Sequence, residues 1–230
     1  MIITAVVVCD DRLDGPDSLA LVGAVPMAVR AVRSVLASEV AEHVDVLVRA
    51  ERIDAVEQAC RGLPVSVRAG LAPVRTHADQ RAGTHTGDGS VTTRLGGVLL
   101  LHDANRPLAP PGLVSAVVDA VRQGHPAAVP VLPMTDTVTQ VDRSGLLSSS
   151  PDRATLRVLQ TPLALDLDVL DPDVLDLEPL PAPDPMRLVL RLLESGVAVH
   201  CVPGHPLAFP LRTAWDLELA DLLTAPGTSG

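Results

Sequence analysis

Residues 99–107 read LLLHDANRP, and this stretch decides the fold. The run of leucines is typical of a strand that is buried on both faces, and Asp103 comes at its end. Open α/β sheets bind ligands at the carboxyl ends of their strands, so this carboxylate lies where a ligand is expected. Asp103 suits Mg²⁺, which bridges protein carboxylates to substrate phosphates, and Arg106 is close enough to bond the same phosphates. The alternative is structural: Asp103 caps a turn and pairs with Arg106.

Alternating strands and helices surround this stretch. Residues 2–8 predict a buried strand, and residues 26–37 predict an amphipathic helix with proline in its first turn. Further strands are predicted at 44–48, 65–67, 98–101, 127–132 and 197–202, and further helices at 51–60, 111–123, 185–194 and 214–223. Elements of this length in this order predict right-handed βαβ units and an α/β fold with a doubly wound, mostly parallel sheet.

Three segments depart from the alternation. Residues 135–161 hold two β-prone pieces around a Ser/Gly/Asp tip, which predicts a protruding β-hairpin arm. Residues 165–183, rich in Pro, Asp and Leu, are predicted to lie on the surface, and residues 69–97 show no organised pattern. We expect residues 1–225 to form a single domain, followed by a frayed tail at 226–230.

Composition narrows the classes of function. The chain has 230 residues and a net charge of −10, which argues against binding to nucleic acids or anionic membranes. No apolar run approaches the ~18 residues of a membrane span. The N-terminus has no basic segment before its apolar residues, and the cysteines are widely spaced, so we expect a cytoplasmic protein with free thiols. All 18 basic residues are arginine, so chemistry that needs lysine requires arginine in its place.

The motif HDANRP resembles the HDAARP signature of the methylerythritol-phosphate and ribitol-phosphate cytidylyltransferases. Further matches follow in family order. They are TDTV at 135–138, similar to a D-T-[hydrophobic]-K element; Arg153 and QTP at 160–162, similar to R…Q-T-P-Q; and Asp216, Leu217 and Ala220 in the C-terminal element. The chain is therefore identified as a member of this family.

The resemblance implies a Rossmann-like, GT-A-like nucleotidyltransferase fold whose β-arm clasps a second subunit. It implies transfer of a cytidylyl group from CTP to 2-C-methyl-D-erythritol 4-phosphate, a step in isoprenoid-precursor biosynthesis, with Asp103 binding Mg²⁺. Other implied roles are catalysis for Arg12 and Arg106, nucleotide binding for Arg81 and Ala104, and polyol-phosphate binding for Thr137, Arg153 and Thr161. Arg153 is expected to reach into the partner subunit's site.

The loop after the first strand departs from the family pattern. The family reads A-A-G-x-G-x-R-M…P-K-Q, whose glycines and basic residues hold the triphosphate, whereas this chain reads VVCDDRLDGPDSLALVG. Asp17 stands at the lysine position of this loop, and Thr139 and Pro210 stand at two other lysine positions. Three more acidic residues, Asp10, Asp11 and Asp14, lie in the loop, where only Arg12 offsets them.

These departures predict weak or lost CTP transfer, because attack on the α-phosphate depends on positioning and electrostatics. The leading hypothesis is a pseudoenzyme, either a homodimer through its arm or a heterodimer in which Arg153 completes the site of an active paralogue. The alternatives are an active nucleotidyltransferase with altered substrate choice and a module that binds only a polyol phosphate. A second Mg²⁺ held by Asp10 or Asp11 is a further way to bind the triphosphate.

Overall fold

A computed structural model describes residues 1–9, 15–69, 97–170 and 184–225 of the chain. The predicted site residues Arg12 and Arg81 lie outside the described residues, as do Asp10, Asp11 and Asp14. Within the described ranges, no helix combines the length and apolar character that crossing a membrane requires.

The elements follow the predicted alternation. The strands are β1 Ile3–Val8, β2 Leu21–Val22, β3 Val25–Pro26, β4 His43–Val48, β5 Ser66–Ala69, β6 Val98–Asp103, β7 Ala127–Pro133, β8 Arg157–Leu159, β9 Leu163–Asp166 and β10 Val199–Pro203. The helices are α1 Met27–Ala37, α2 Ile53–Ala59, α3 Pro111–Arg122, α4 Pro185–Glu194 and α5 Ala214–Thr224. Short 3₁₀ turns occupy Ala50–Arg52, Arg153–Thr155 and Pro206–Ala208.

The main sheet runs in the order β10-β7-β9-β6-β1-β4-β5, with β8 paired to β7. Strands β6, β1, β4 and β5 are mutually parallel, and β10 is parallel to β7, which confirms the mostly parallel sheet. Strand β9 is antiparallel to both β6 and β7. The prediction that residues 165–183 lie on the surface is therefore wrong at its start, since Leu163 and Leu165 are fully buried between two strands.

Helices cover both faces of the sheet. On one face, α1, α2 and α3 contribute valines and alanines to a core cluster that includes Val7, Val46 and Leu100. On the other face, Leu188, Val189 and Leu192 of α4 pack with Val6 and other strand residues. Side chains alternate along a strand, so β1 and β6 supply both clusters, as a doubly wound sheet requires.

The predicted arm at 135–161 is a hairpin only in its outer part, since residues 157–159 form β8 and pair with β7 in the main sheet. Its two sides are joined by backbone hydrogen bonds from Gln140 N to Ser149 O (2.7 Å) and from Ser148 N to Gln140 O (2.9 Å). Val141 and Leu147 face each other in an antiparallel bridge and are both exposed.

The register brings the strand ends together at one edge of the sheet. Val8 of β1 lies opposite both Asp103 of β6 and Leu47 of β4. The loop after β1, the turn after β4 and Asp103 therefore share the carboxyl edge, where open α/β sheets bind ligands.

Candidate active site at the carboxyl edge

Asp103 ends β6 at the carboxyl edge, and the chain then turns tightly around it. The Asp103 carboxylate is half-buried, and its Oδ1 accepts a hydrogen bond from Asn105 N at 3.1 Å. The next residue, Ala104, is buried, and its N–H donates to Val8 O at 2.9 Å. The Asp side chain thus caps its own turn, as the structural alternative predicted, and the same turn directs a carboxylate to the ligand edge.

Behind Asp103 lies a buried hydrogen-bonded pair, Thr161 and His102. Thr161 Oγ1 lies 3.0 Å from His102 Nδ1 and accepts a hydrogen bond from Asp103 N at 3.2 Å. Burial, together with the nearby positive charge of Arg106, lowers the pKa of His102 to about 3. The imidazole is therefore neutral at physiological pH, and its Nδ1 shares a hydrogen bond with the hydroxyl of Thr161. The Thr161 hydroxyl points inward and fixes the backbone of Asp103.

Arg106 is buried, with 4% of its surface exposed. Its Nη1 donates to Ala208 O at 2.5 Å and its Nη2 to Leu159 O at 3.3 Å. Burial lowers the pKa of Arg106 to about 10; the carboxylate of Asp103 opposes this shift and the charge of Arg212 adds to it. Arg106 stays protonated at neutral pH, and both terminal nitrogens bind backbone carbonyls of the protein itself.

A second buried side chain, Gln160, binds the same C-terminal loop. Gln160 Nε2 donates to His205 O and its Oε1 accepts from His205 N, both at 2.9 Å. The same Nε2 lies 3.3 Å from Ala208 O. Residues 204–211 are therefore attached to the carboxyl edge by a buried amide and a buried guanidinium, a pair of contacts that the sequence pattern did not reveal.

Asp17, at the lysine position of the family's first loop, forms an ion pair with Arg52. The same carboxylate caps the backbone of its own loop, because Leu19 N donates to Asp17 Oδ1 at 2.8 Å. Arg52 belongs to the turn after β4, and β4 neighbours β1, whose register places the two loops side by side. The sequence pattern predicts an uncompensated negative charge at Asp17, and in the structure Arg52 compensates it.

The predicted site residues fall into separate groups. Asp103, Ala104, Arg106 and Thr161 lie together at the carboxyl edge. Thr137 and Arg153 are exposed on the arm, where Arg153 Nη1 lies 3.4 Å from Thr135 O. Among the described residues, no hydrogen bond or ion pair joins these two arm residues to Asp103.

The residues at this edge suit a magnesium ion that is shared with a ligand. Within the described residues, no cluster of three or more His, Cys, Asp or Glu side chains could hold a metal ion. Mg²⁺ needs no such cluster, because it keeps waters and binds one or two carboxylates together with substrate phosphates. Asp103 fits that role, and a nucleotide triphosphate would supply the remaining ligands.

Comparison with known proteins supports the assignment of the fold and the family. A sequence model of the family described as IspD, 2-C-methyl-D-erythritol 4-phosphate cytidylyltransferase, matches residues 12–225. A relative of that name from Nocardia farcinica is 39% identical over 210 residues, covering 90% of this chain and 85% of the relative. A relative of the same name from Frankia casuarinae is 40% identical over 217 residues, covering 94% of this chain and 77% of the relative.

Solved structures show the same fold. The 4-diphosphocytidyl-2C-methyl-D-erythritol synthase of Anaerococcus prevotii superimposes with a TM-score of 0.70 at 17% identity, covering 96% of this chain and 97% of that one. The 2-C-methyl-D-erythritol 4-phosphate cytidylyltransferase of Thermus thermophilus gives a TM-score of 0.63 at 24% identity, covering 97% and 98%. At these identities the likeness establishes the architecture only.

Proposed function

Because the chain belongs to the 2-C-methyl-D-erythritol 4-phosphate cytidylyltransferase family, we propose that it transfers a cytidylyl group from CTP to 2-C-methyl-D-erythritol 4-phosphate or a closely similar polyol phosphate, more slowly than relatives that keep the lysines. The observation that carries this proposal is the placement of Asp103. Its carboxylate lies at the ligand edge of the sheet, with a buried Thr161–His102 pair behind it.

In this reaction a phosphate oxygen of the polyol phosphate attacks the α-phosphorus of CTP. The bond to the oxygen that bridges to the β-phosphate breaks, and pyrophosphate leaves. Asp103 would hold Mg²⁺, whose charge stabilises the phosphate oxygens. Thr161 and His102 keep Asp103 in position, and Arg106 and Gln160 hold the C-terminal loop. Such positioning supplies most of the catalysis in phosphoryl and nucleotidyl transfer.

The slow rate follows from missing contacts on the nucleotide side. Asp17 and Pro210 occupy two lysine positions, and a hydrogen bond to a charged group contributes about 1.5–3 kcal/mol. Two such contacts amount to about 3–6 kcal/mol, which corresponds to a rate reduced by about 10²–10⁴-fold. The ion pair of Asp17 with Arg52 prevents a larger loss, because it removes the repulsion between a free carboxylate and the triphosphate.

Pyrophosphate release tests the proposal directly. Purified protein, CTP, Mg²⁺ and 2-C-methyl-D-erythritol 4-phosphate should release pyrophosphate, and Asp103→Asn should abolish the release while Arg187→Ala, on the exposed side of α4, leaves it unchanged. Ribitol 5-phosphate and the other nucleoside triphosphates in parallel reactions define the substrate choice. Absence of pyrophosphate release with every pair of substrates would refute catalysis.

A second candidate function is that of a regulatory partner subunit, and the retained arm favours it. Arg153 is exposed, and within the described part of the chain its guanidinium makes one long contact, with the Thr135 carbonyl, so it is free to act outside its own subunit. This chain should restore activity to a cytidylyltransferase whose own arm arginine has been replaced, and an Arg153→Ala version of this chain should not. No restoration and no co-purification with such an enzyme would exclude this function.

The assembly and location follow from the same proposal. We expect a homodimer through the arm, measured by analytical ultracentrifugation, and Leu147→Asp at the arm tip should shift it to monomer. The substrates of the proposed reaction are metabolites of the cytoplasm, and we propose that the protein acts there.

A further inference from the structure

Arg212 lies where two loops of the candidate site meet. The residue before it, Leu211, donates its N–H to Asn105 O at 2.8 Å, which joins it to the loop that follows Asp103. On the other side, the carbonyl oxygen of Arg212 is 4.0 Å from the position of a Cβ on Gly15, at the end of the loop after β1. The backbone at Arg212 therefore lies between the loop of Asp103 and Gly15, which follows β1 in the chain.

The backbone at Arg212 is fixed on both sides. Upstream, Arg106 and Gln160 bind Ala208 and His205, as described above. Downstream, Arg212 N donates to Asp216 Oδ2 at 2.9 Å, and the same carboxylate closes the capping box with Thr213 at the start of α5. A side chain on so constrained a backbone is preorganised. Preorganisation lowers the entropic cost of binding a ligand, because fewer groups have to be ordered.

The charge of Arg212 lies near the carboxylate of Asp216, whose pKa it helps to lower, but that carboxylate is already occupied by hydrogen bonds from the Arg212 and Thr213 N–H groups and the Thr213 hydroxyl. Arg212 is exposed, and among the described residues it forms no ion pair, whereas Arg106 is engaged with carbonyls and Arg52 with Asp17. Its positive charge lies near enough to Arg106 to disfavour the charged form of that guanidinium. Two like charges held close together attract an anion, because the anion relieves their repulsion.

We propose that Arg212 contacts the phosphate groups of the bound nucleotide. This inference rests on the proposed function and extends it by naming a residue that binds the phosphates. A guanidinium suits the role, since its planar fork binds two phosphate oxygens at once and remains charged at every physiological pH.

Isothermal titration of the full chain tests this role. The probes are sodium tripolyphosphate, CTP and CMP, each with Mg²⁺. Arg212→Ala should weaken the binding of tripolyphosphate and CTP by about 10–100-fold, the effect of losing one charge-assisted contact. Arg212→Lys should recover part of the loss, and Arg187→Ala on α4 serves as the matched control. The loss for CMP should be smaller than for CTP, a difference that a merely structural role of Arg212 would not produce.

Each outcome separates this inference from the proposed function. Binding of tripolyphosphate that depends on Arg212, without pyrophosphate release, supports the inference and refutes catalysis. Pyrophosphate release that is the same in Arg212→Ala and Arg187→Ala supports catalysis and overturns the inference. Equal losses for CTP and CMP, or no binding of any probe to the wild-type chain, also overturn it.

Discussion

Gly204→Ala probes the buried amide that holds the C-terminal loop. A Cβ at Gly204 would lie inside contact distance of Gln160 Oε1 and 2.8 Å from the carbonyl oxygen of Val131. The Gln160 side chain is the part that can move away from the new Cβ, because Val131 O belongs to the backbone. When it moves, its hydrogen bonds with the N–H and C=O of His205 break. Each buried polar group left unpaired costs about 1–3 kcal/mol.

The expected loss of stability is about 3–5 kcal/mol, from two unpaired groups and the residual backbone clash. In a chain of this size 1 kcal/mol shifts the melting temperature by about 2–4 °C, so the melting temperature should fall by about 10 °C. Urea unfolding and calorimetry measure the two quantities. The control is Gly112→Ala in α3, where an added Cβ meets nothing within 4 Å and should raise helix stability slightly.

Gln160→Ala completes the test as a double-mutant cycle. If the clash acts through Gln160, Gly204→Ala should cost clearly less in the Gln160→Ala background, because the hydrogen bonds are already absent. An equal cost in both backgrounds, or a Gly204→Ala protein within about 0.5 kcal/mol of wild type, would refute the reasoning.

Three further predictions follow from the site. The pKa of His102 falls on folding from 6.5 to about 3, so the unfolded chain binds the proton first and stability decreases as pH falls below 6.5. Between pH 7 and pH 4.5, His102→Asn should therefore lose about 3 kcal/mol less than wild type in urea unfolding, and parallel losses would contradict the assignment. Thr213→Ala removes the capping box with Asp216 and should lower the free energy of unfolding by about 1 kcal/mol; an unchanged melting temperature would contradict this. Asp17→Lys combined with Pro210→Lys should raise kcat/KM for pyrophosphate release at least about tenfold, and no gain would show that the missing lysines do not limit the rate.

The sequence predicted the fold well wherever a long segment kept a single pattern of hydrophobic residues. Residues 2–8 and 98–101 gave buried parallel strands, and the helices follow their amphipathic patterns. Strand β9 was missed for a physical reason. It has four residues, LALD, after a proline, and its pairing with β6 and β7 is set by residues far away in the chain. A short apolar run does not reveal whether it enters the centre of a sheet.

The site was predictable at Asp103 and much less so around it. The position of Asp103 follows from a local pattern, a buried strand that ends at the ligand edge. The contacts of Arg106 with Ala208 and of Asp17 with Arg52 join residues 102 and 35 positions apart, and no local pattern reports them. The local pattern predicts that Arg106 binds phosphates, and the structure adds that its guanidinium donates to the backbone carbonyls of Ala208 and Leu159.

The loss of a lysine from a motif shows that the sequence has diverged. The resulting charge at that position depends on which other charged residues the fold places beside it. A free carboxylate in place of a lysine would reverse the sign of the charge near the triphosphate. At an effective dielectric constant of ~20, a unit charge at ~4 Å contributes about 4 kcal/mol, so the reversal would cost about 8 kcal/mol, a factor of about 10⁶ in rate. Pairing Asp17 with Arg52 brings the local charge to zero and the cost to about 4 kcal/mol, a factor of about 10³. A deficit of that size is compatible with the slow transfer that we propose, and the exposed charge of Arg212 would reduce the deficit further. Arg52→Ala frees the carboxylate of Asp17 and should therefore lower the rate of pyrophosphate release by up to about 10³-fold. Asp17→Asn should raise the rate, and the opposite order in steady-state kinetics would contradict this account of the charge.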